Sequence, residues 1–155
     1  MIKKYAEEKV GLEIRKAREV DISGIAALER ECFSDPWSEE SLCDTFGILT
    51  LIATDGSSLL GYIVTRCLAG EAELFRICVK SEARRQGIGR LLLERGLEAA
   101  AADGAEKMFL EVRSHNSPAR ALYAGVGFKE AGLRKNYYSE PEDDAIIMLR
   151  EINCR

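Results

Sequence analysis

Hydrophobic and polar residues follow two periods along this chain, and the change from one period to the other separates predicted strands from predicted helices. Short apolar runs bounded by turn residues predict seven strands, at residues 13–17, 50–54, 59–68, 71–79, 108–112, 128–134 and 145–149. Apolar residues at three- and four-residue spacing predict four helices, at 21–32, 38–46, 86–102 and 117–125. The order of these elements predicts an α/β (α+β) domain built on a mixed sheet.

Chain length and composition are those of a globular protein with one domain. The 155 residues are enough for a single packed core, and we expect one domain over residues 1–155. Residues 1–11 are polar, and we expect them to form a loose lead-in. The sequence contains neither internal repeats nor a linker that would mark a domain boundary.

Charge and cysteine content narrow the classes of partner. The net charge of −4 argues against a general nucleic-acid-binding surface, so the arginines around residue 87 favour a small anionic ligand. No apolar run has the length of a membrane span, and residues 1–8 lack the apolar core of a signal peptide. The 5 cysteines have no metal-ligand spacing, which predicts reduced thiols, a cytoplasmic protein and no metal site.

A turn that contains two glycines is the strongest chemical signal in the sequence. It lies between the strand at 71–79 and the helix at 86–102, and it reads Arg84-Arg85-Gln86-Gly87-Ile88-Gly89-Arg90. Glycines leave backbone N–H groups unshielded, and the N-terminus of the following helix adds the positive end of its dipole. Three arginines can neutralise phosphate, so the turn predicts a site for a diphosphate.

Three classes of diphosphate ligand compete for this turn. A Walker loop requires Lys followed by Ser or Thr after its last glycine, where this chain has Arg90 and Leu91. A dinucleotide fingerprint requires a third glycine where this chain has Leu92, and the preceding segment is not a βαβ unit. The third candidate is the pantetheine diphosphate of coenzyme A.

The sequence from Leu74 to Phe128 resembles the GNAT superfamily of N-acetyltransferases. The cofactor signature of that superfamily is Arg/Gln-x-x-Gly-x-Gly/Ala, which the run Arg84–Gly89 matches. Further matches follow in order, at Leu110-Glu111-Val112, Asn116, Ala121-Leu122-Tyr123 and Gly127-Phe128. The resemblance implies acetyl-CoA as the acetyl donor. It also implies a mostly antiparallel central sheet of about seven strands flanked by about four helices.

Four segments are more narrowly similar to the RimI-type ribosomal-protein alanine N-acetyltransferases. They are Phe33–Ser38, Leu110–Arg113 with Asn116, Arg134–Tyr138 and Asp144–Met148. The Asn136-Tyr137-Tyr138 run and Asp144–Met148 discriminate best within the superfamily. This similarity implies transfer of acetyl to the N-terminal alanine of a protein, which in that family is usually small-subunit ribosomal protein eighteen.

The resemblance implies roles for one carboxylate and one phenol. Glu111 would act as general base on the incoming amine, and such help is typically worth ~10²–10⁴ in rate. The alternative is a strand carboxylate paired with Arg113 or another cation of the sheet. Tyr123 would protonate the departing thiolate, and the alternative is an ordinary amphipathic residue on a core-facing helix.

The same resemblance implies the coenzyme contacts. Backbone groups of Ile77, Cys78 and Val79 would pair with the pantetheine arm, and one N–H would polarise the thioester carbonyl. Cys78 itself is expected to be a small buried residue and not a nucleophile. Asn116 would also contact the coenzyme, unless it serves only as a loop or capping residue. The diphosphate would be held by Arg84, Arg85, Gln86, Gly87, Ile88, Gly89 and Arg90.

Three aromatic residues are expected to line the path of the peptide amine: Trp37, Tyr137 and Tyr138. Trp37 could instead fill space in the helix layer. The acidic residues beside Tyr138 either suit a basic residue of the substrate or form a solvated loop; they are Glu140, Glu142, Asp143 and Asp144. The expected partner is a protein N-terminus, with no nucleic acid and no membrane.

Two other functions stay open on the sequence. One is N-acetylation of a small amine such as a polyamine or an antibiotic, and the other is a coenzyme-binding adaptor of a larger assembly. The Asn136–Tyr138 and Asp144–Met148 runs favour a protein N-terminus over a small amine. The presence of both Glu111 and Tyr123 argues against an inactive adaptor.

Overall fold

The computed structural model describes residues 11–42 and 48–152. Its strands are β1 (Glu13–Lys16), β2 (Ile48–Thr54), β3 (Leu59–Leu68), β4 (Glu71–Val79), β5 (Lys107–Arg113), β6 (Lys129–Ser139) and β7 (Glu142–Glu151). Its helices are α1 (Ile22–Cys32), α2 (Glu39–Leu42), α3 (Ile88–Ala102) and α4 (Ser117–Gly125). Short 3₁₀ turns at Glu19–Asp21 and Ser81–Ala83 precede α1 and the glycine turn. The predicted order of elements is confirmed.

The ends of several elements differ from the prediction. The last two strands are longer, because β6 and β7 continue to pair Tyr138 with Asp143 and Ser139 with Glu142. The residues there are polar and carry no apolar alternation, so the sequence pattern misses this part of the ladder. The predicted end of the second helix at residue 46, and most of the predicted lead-in, lie outside the described residues.

The seven strands hydrogen-bond in the order β1-β2-β3-β4-β5-β7-β6. The pairs β1 with β2, β5 with β7 and β6 with β7 are antiparallel. The pair β4 with β5 is parallel, with Glu71–Glu73 opposite Lys107–Phe109. A parallel pair needs a long crossover connection, which α3 supplies. The predicted fold class, a mixed and mostly antiparallel sheet with four helices, is confirmed.

Residue contacts divide the chain into two compact units. The first consists of the described residues of Met1–Thr65 and Phe75–Gly96, and the second of those of Arg66–Leu74 and Leu97–Arg155. The expectation of one domain over residues 1–155 stays a prediction. The first unit has a core of buried residues that α1, α2 and the strands contribute: Ile25, Ala26, Leu28, Leu42, Ile52, Tyr62, Val64 and Cys78.

The second unit is organised by the alternation of β5. Met108, Leu110 and Val112 are buried on one face of this strand, while the residues between them are only partly buried. Successive side chains of a strand point to opposite faces, so Glu111 lies on the face away from that core. In the register with β7, Glu111 is opposite Ile147.

Candidate active site

The glycine turn combines a left-handed backbone with the start of a long helix. Arg85 has φ +61° and Gly87 has φ +83°, values at which a helix cannot continue. The helix therefore begins at Ile88, two residues later than predicted, and the Leu91 N–H donates to the Gly87 carbonyl at 3.0 Å. The first N–H groups of α3 have no acceptor within the helix. The backbone thus has the form that an anion site requires, and the diphosphate assignment stays a prediction.

The three arginines of the turn differ in their surroundings. The Arg84 Nε donates to the Val79 carbonyl at 2.9 Å, which ties the turn to the end of β4. Arg90 forms an ion pair of 3.2 Å with Glu94, one turn further along α3. Arg85 is exposed. Of these three arginines, only Arg90 is therefore paired with a carboxylate among the contacts that the structure records.

A cavity of about 280 Å³ adjoins the turn within the first unit. The turn contributes Gln86 and Ile88 to its wall, and the start of β3 contributes Leu60. Lys80 adds a cation to the wall, and its backbone N–H donates to the Leu60 carbonyl at 2.8 Å. The sequence analysis did not single out Lys80, and the same wall also carries the acidic residues Asp55 and Glu82.

The bonding of Cys78, near the end of β4, differs from the sequence expectation. Cys78 is buried as expected, but the structure joins it to Cys32 in a disulfide, with the two Cα atoms 6.8 Å apart. The expectation of reduced thiols is therefore wrong for this pair, whereas Cys67 is free. The two cysteines are 46 residues apart in sequence, and only the packing of α1 on β4 brings them together. Close to them, a Cβ atom on Gly61 would lie 2.6 Å from the Cys78 carbonyl oxygen.

The carboxylate of Glu111 has two partners on β6. Its Oε1 lies 3.3 Å from Arg134 Nε, and the Glu111 side chain is 22% exposed. The Tyr137 hydroxyl donates to the same carboxylate, and this hydrogen bond raises the pKa of Tyr137. The predicted alternative named Arg113 or another cation of the sheet, and Arg113 itself donates to the Pro141 carbonyl at 2.7 Å. Glu111 is therefore a paired carboxylate, and its partner is Arg134, a cation of the sheet that the alternative did not name.

Tyr123 is buried, and its hydroxyl is electrostatically linked to β6. Desolvation raises the pKa of Tyr123, and the neighbouring Tyr138 raises it further. The pKa of Tyr138 is itself raised, first by burial and then by the charge of Glu111. The structure thus brings four of the predicted residues into one neighbourhood of the second unit: Glu111, Tyr123, Tyr137 and Tyr138.

Asn116 has the structural role that was its predicted alternative. Its side-chain oxygen accepts from the Ala119 N–H at 3.3 Å and caps α4. The coenzyme role stays a prediction. Pro118 stands in the first turn of α4, where the missing N–H costs no helical hydrogen bond.

Two of the four acidic residues near Tyr138 hold the backbone. Asp143 is 8% exposed, and its carboxylate accepts from the His115 N–H at 3.1 Å and the Asp144 N–H at 2.8 Å. Burial by itself would raise the pKa of Asp143, but these bonds and the His115 ring lower it below its ordinary value. The Asp144 carboxylate accepts from the Asn136 N–H at 2.8 Å, at a residue with φ +53°. The description of a solvated loop is therefore wrong for Asp143.

The Trp37 side chain packs on other residues of the first unit. Its ring meets Phe75 edge-on at 6.2 Å, and its backbone N–H donates to the buried Glu29 carboxylate at 3.0 Å. The space-filling alternative is thus observed, and the substrate role stays a prediction. Sequence reasoning missed Glu29, since a glutamate on a helix gives no sign that its side chain is fully buried.

Two further observations concern the described residues as a whole. None of the helices there is both long enough and apolar enough to cross a membrane. In the same ranges, no three His, Cys, Asp or Glu side chains gather in a way that could hold a metal ion.

The fold agrees with a comparison against known families. The Acetyltransferase (GNAT) family matches residues 22–128, which is well over half of the chain. The chain therefore belongs to the GNAT family of acetyltransferases.

Relatives within this family are similar over most of their length. The chain is 35% identical over 137 residues to ribosomal protein bS18-alanine N-acetyltransferase of Escherichia coli K12. The aligned region covers 86% of this chain and 93% of that protein. The protein of the same name from Salmonella typhimurium gives the same identity and coverage. The crystal structure of ribosomal-protein-S18-alanine N-acetyltransferase from Escherichia coli has a TM-score of 0.85 at 32% identity, covering 93% of this chain and 96% of that chain.

Proposed function

We propose that this protein transfers an acetyl group from acetyl-CoA to the N-terminal alanine of ribosomal protein bS18. The observation that carries the proposal is the 35% identity, over 86% of this chain, to an enzyme named for that reaction. The protein would act in the cytoplasm, where ribosomal proteins are made. Its partner is a protein N-terminus, and neither nucleic acid nor a membrane takes part.

In this reaction the free amine attacks the thioester carbonyl of acetyl-CoA. The N–C bond forms, the C–S bond breaks, and the nitrogen loses a proton. We assign that proton to the Glu111 carboxylate, which is 22% exposed and therefore open to solvent and substrate. An α-amino group has a pKa near 8, so it needs only modest help at neutral pH.

The departing thiolate takes up one proton, which balances the reaction. We assign Tyr123 as the donor, because a phenol carries its proton at neutral pH and Tyr123 neighbours Tyr138, which is itself close to Glu111. The diphosphate of the coenzyme binds at Arg84–Arg90, where left-handed Gly87 precedes the N-terminus of α3. The pantetheine arm pairs with Ile77, Cys78 and Val79, and Asn116 provides a further coenzyme contact.

A peptide assay tests the substrate. The purified protein is mixed with acetyl-CoA and a peptide that begins with Ala-Arg, and mass spectrometry locates the acetyl group. The controls are the same peptide with a blocked amine and a panel of polyamines and aminoglycosides. Acetylation at the alanine nitrogen is expected, and turnover of the small amines alone would overturn the proposal. N-terminal analysis of bS18 from cells that lack this protein extends the test to the natural substrate.

A further inference from the structure

The guanidinium of Arg76 on β4 lies between two aromatic rings of the segment Phe33–Trp37, which connects α1 to α2. It is 4.2 Å from the centroid of Phe33 and 4.9 Å from that of Trp37. The Arg76 side chain is 12% exposed. Cation–π contacts strengthen when the cation is desolvated, as it is here.

A fully buried carboxylate accompanies this cation. The Glu29 side chain is 0% exposed, and its Oε1 lies 3.6 Å from Arg76 Nε. The Tyr62 hydroxyl donates to Oε1, and the Trp37 backbone N–H donates to Oε2 at 3.0 Å. A buried charge requires both a counter-ion and hydrogen bonds. One of the hydrogen bonds to Glu29 comes from the segment itself, through the Trp37 backbone N–H.

Arg76 also binds the middle of the segment. Its Nη2 donates to the Asp35 carbonyl at 2.9 Å and lies 3.7 Å from Asp35 Oδ1. One ion pair on α1 and β4 therefore holds the segment at three successive places. These are the ring of Phe33, the backbone of Asp35, and both the ring and the backbone of Trp37.

The arrangement is not one that stability alone would select. Replacing a buried ion pair by apolar residues is often neutral or stabilising. Here the Arg76 Nε is in addition buried without a hydrogen-bond partner among the described residues, which is unfavourable. Buried polar pairs can instead fix one conformation, and the conformation fixed here is that of residues 33–37.

This segment begins beside the predicted coenzyme site. Cys32, the last residue of α1, is bonded to Cys78, which follows Arg76 by two positions on β4. Arg84 Nη2 of the glycine turn contacts the Cys32 sulfur at 3.7 Å. The start of the segment, the end of β4 and the turn are thus in mutual contact within the first unit.

We propose that Arg76 is a positioning residue that holds the Phe33–Trp37 segment in the conformation that receives the peptide substrate. Arg76 does not touch the reacting atoms, and it acts through Trp37. It therefore sets the affinity for the peptide and leaves acetyl-CoA binding and acetyl transfer unaffected. The proposal rests on the proposed function, which supplies the peptide.

The test is the substitution Arg76→Lys. Lysine keeps a positive charge opposite Glu29, so the variant should fold, but it cannot stack as a plane between two rings while bonding Asp35. We expect the KM for an Ala-Arg peptide to rise about tenfold. The kcat and the KM for acetyl-CoA should stay within about twofold of the original values, because the glycine turn is untouched.

Arg15→Lys is the matched control. Arg15 also pairs with a carboxylate, through two hydrogen bonds of 2.8 and 3.0 Å to Asp21, but it lies on β1. Its substitution should change neither KM. An equal rise of both KM values in Arg76→Lys, or an unchanged peptide KM, would overturn the positioning role. So would a lowered melting temperature with all kinetic constants unchanged, which indicates a purely structural residue.

Trp37 fluorescence separates a failure of this inference from a failure of the proposed function. Trp37 is the sole tryptophan of the chain, so its emission reports on the segment alone. Absence of peptide turnover by the unsubstituted protein would refute the proposed function. The emission spectra still decide about Arg76 in that case. A shifted spectrum in Arg76→Lys supports the positioning role, and an unchanged spectrum overturns it.

Discussion

The carboxylate of Glu111 and the guanidinium of Arg134 form an ion pair of 3.3 Å that spans one strand. Glu111 lies on β5 and Arg134 on β6, with β7 between them in the sheet. The side chains meet over β7, where Glu111 is in register with Ile147 and Arg134 with Ala145. The proposed base is therefore held in place by the strand that also carries Tyr137 and Tyr138.

Glu111→Gln should lower kcat by about 10²–10³-fold, because the amide cannot accept the amine proton. The KM for acetyl-CoA should change little, and steady-state kinetics with the Ala-Arg peptide measure both constants. Glu130→Gln is the matched control, since Glu130 is an exposed carboxylate on β6 that pairs with Arg120. Equal turnover by the two variants would remove Glu111 from the mechanism.

Tyr123→Phe should lower kcat by about 10–10²-fold while the melting temperature stays close to that of the unsubstituted protein. The substitution deletes only the hydroxyl and preserves the edge contact with Phe128, whose ring centroid is 6.0 Å away. Circular dichroism and thermal melts accompany the assay and check that the variant is folded at the assay temperature. Unchanged kcat in a folded variant contradicts the acid role.

The pH dependence of kcat gives a second test of Tyr123. The folded-state pKa of Tyr123 is raised above its ordinary value of 10.0, so the phenol stays protonated up to and beyond that pH. The unsubstituted enzyme should therefore show no loss of kcat between about pH 8 and pH 10 from ionisation of this residue. A decline in that range that disappears in Tyr123→Phe would show that the phenol ionises earlier.

Gly87→Val should abolish measurable binding of acetyl-CoA. Gly87 has φ +83°, which a β-branched residue adopts only with strain, and the new side chain would also block the backbone amides. Gly104→Val is the control for backbone strain, because Gly104 has a similar φ of +88°. Gly104 follows the other end of α3, and a Cβ atom there would meet open space. Calorimetry should find normal coenzyme affinity in Gly104→Val only. Equal loss in both variants would indicate strain and not a blocked anion site.

Asp143→Asn should lower the melting temperature at pH 7, because Asp143 accepts backbone bonds at His115 and Asp144. The folded-state pKa of Asp143 lies below its ordinary value of 3.8. A lowered pKa contributes stability above the unfolded-state value, and that contribution is lost as the pH falls through the folded-state value. The difference in melting temperature should therefore shrink below about pH 4. A constant difference down to pH 2 would contradict this account.

Local sequence signals were sufficient for most elements and for the glycine turn. Apolar periodicity placed α3 and β5, and the pair of glycines located the turn before α3, where the structure gives Gly87 a φ of +83°. The extension of β6 beyond Arg134 was missed because an exposed edge strand shows no apolar alternation. Periodicity reports burial, and it cannot find a strand that is paired but not buried.

Pairings between distant residues were not accessible from the sequence. The alternative for Glu111 was an ion pair with Arg113 or another cation of the sheet, and the register across two strands selects Arg134. The bond between Cys32 and Cys78, and the contact of Glu29 with Arg76, likewise depend on how α1 packs on β4. Such contacts are set by tertiary packing, which one sequence does not specify locally.

The missing side chain at Gly61 restricts how this chain can vary. The space that a methyl group would need is occupied by the carbonyl of Cys78, so any larger residue must displace the end of β4. That displacement would shift the strand that leads into the glycine turn. Gly61 takes no part in the proposed chemistry, yet it should tolerate almost no substitution. In a screen of random variants, we expect substitutions at Gly61 to be as damaging as substitutions at the proposed catalytic residues.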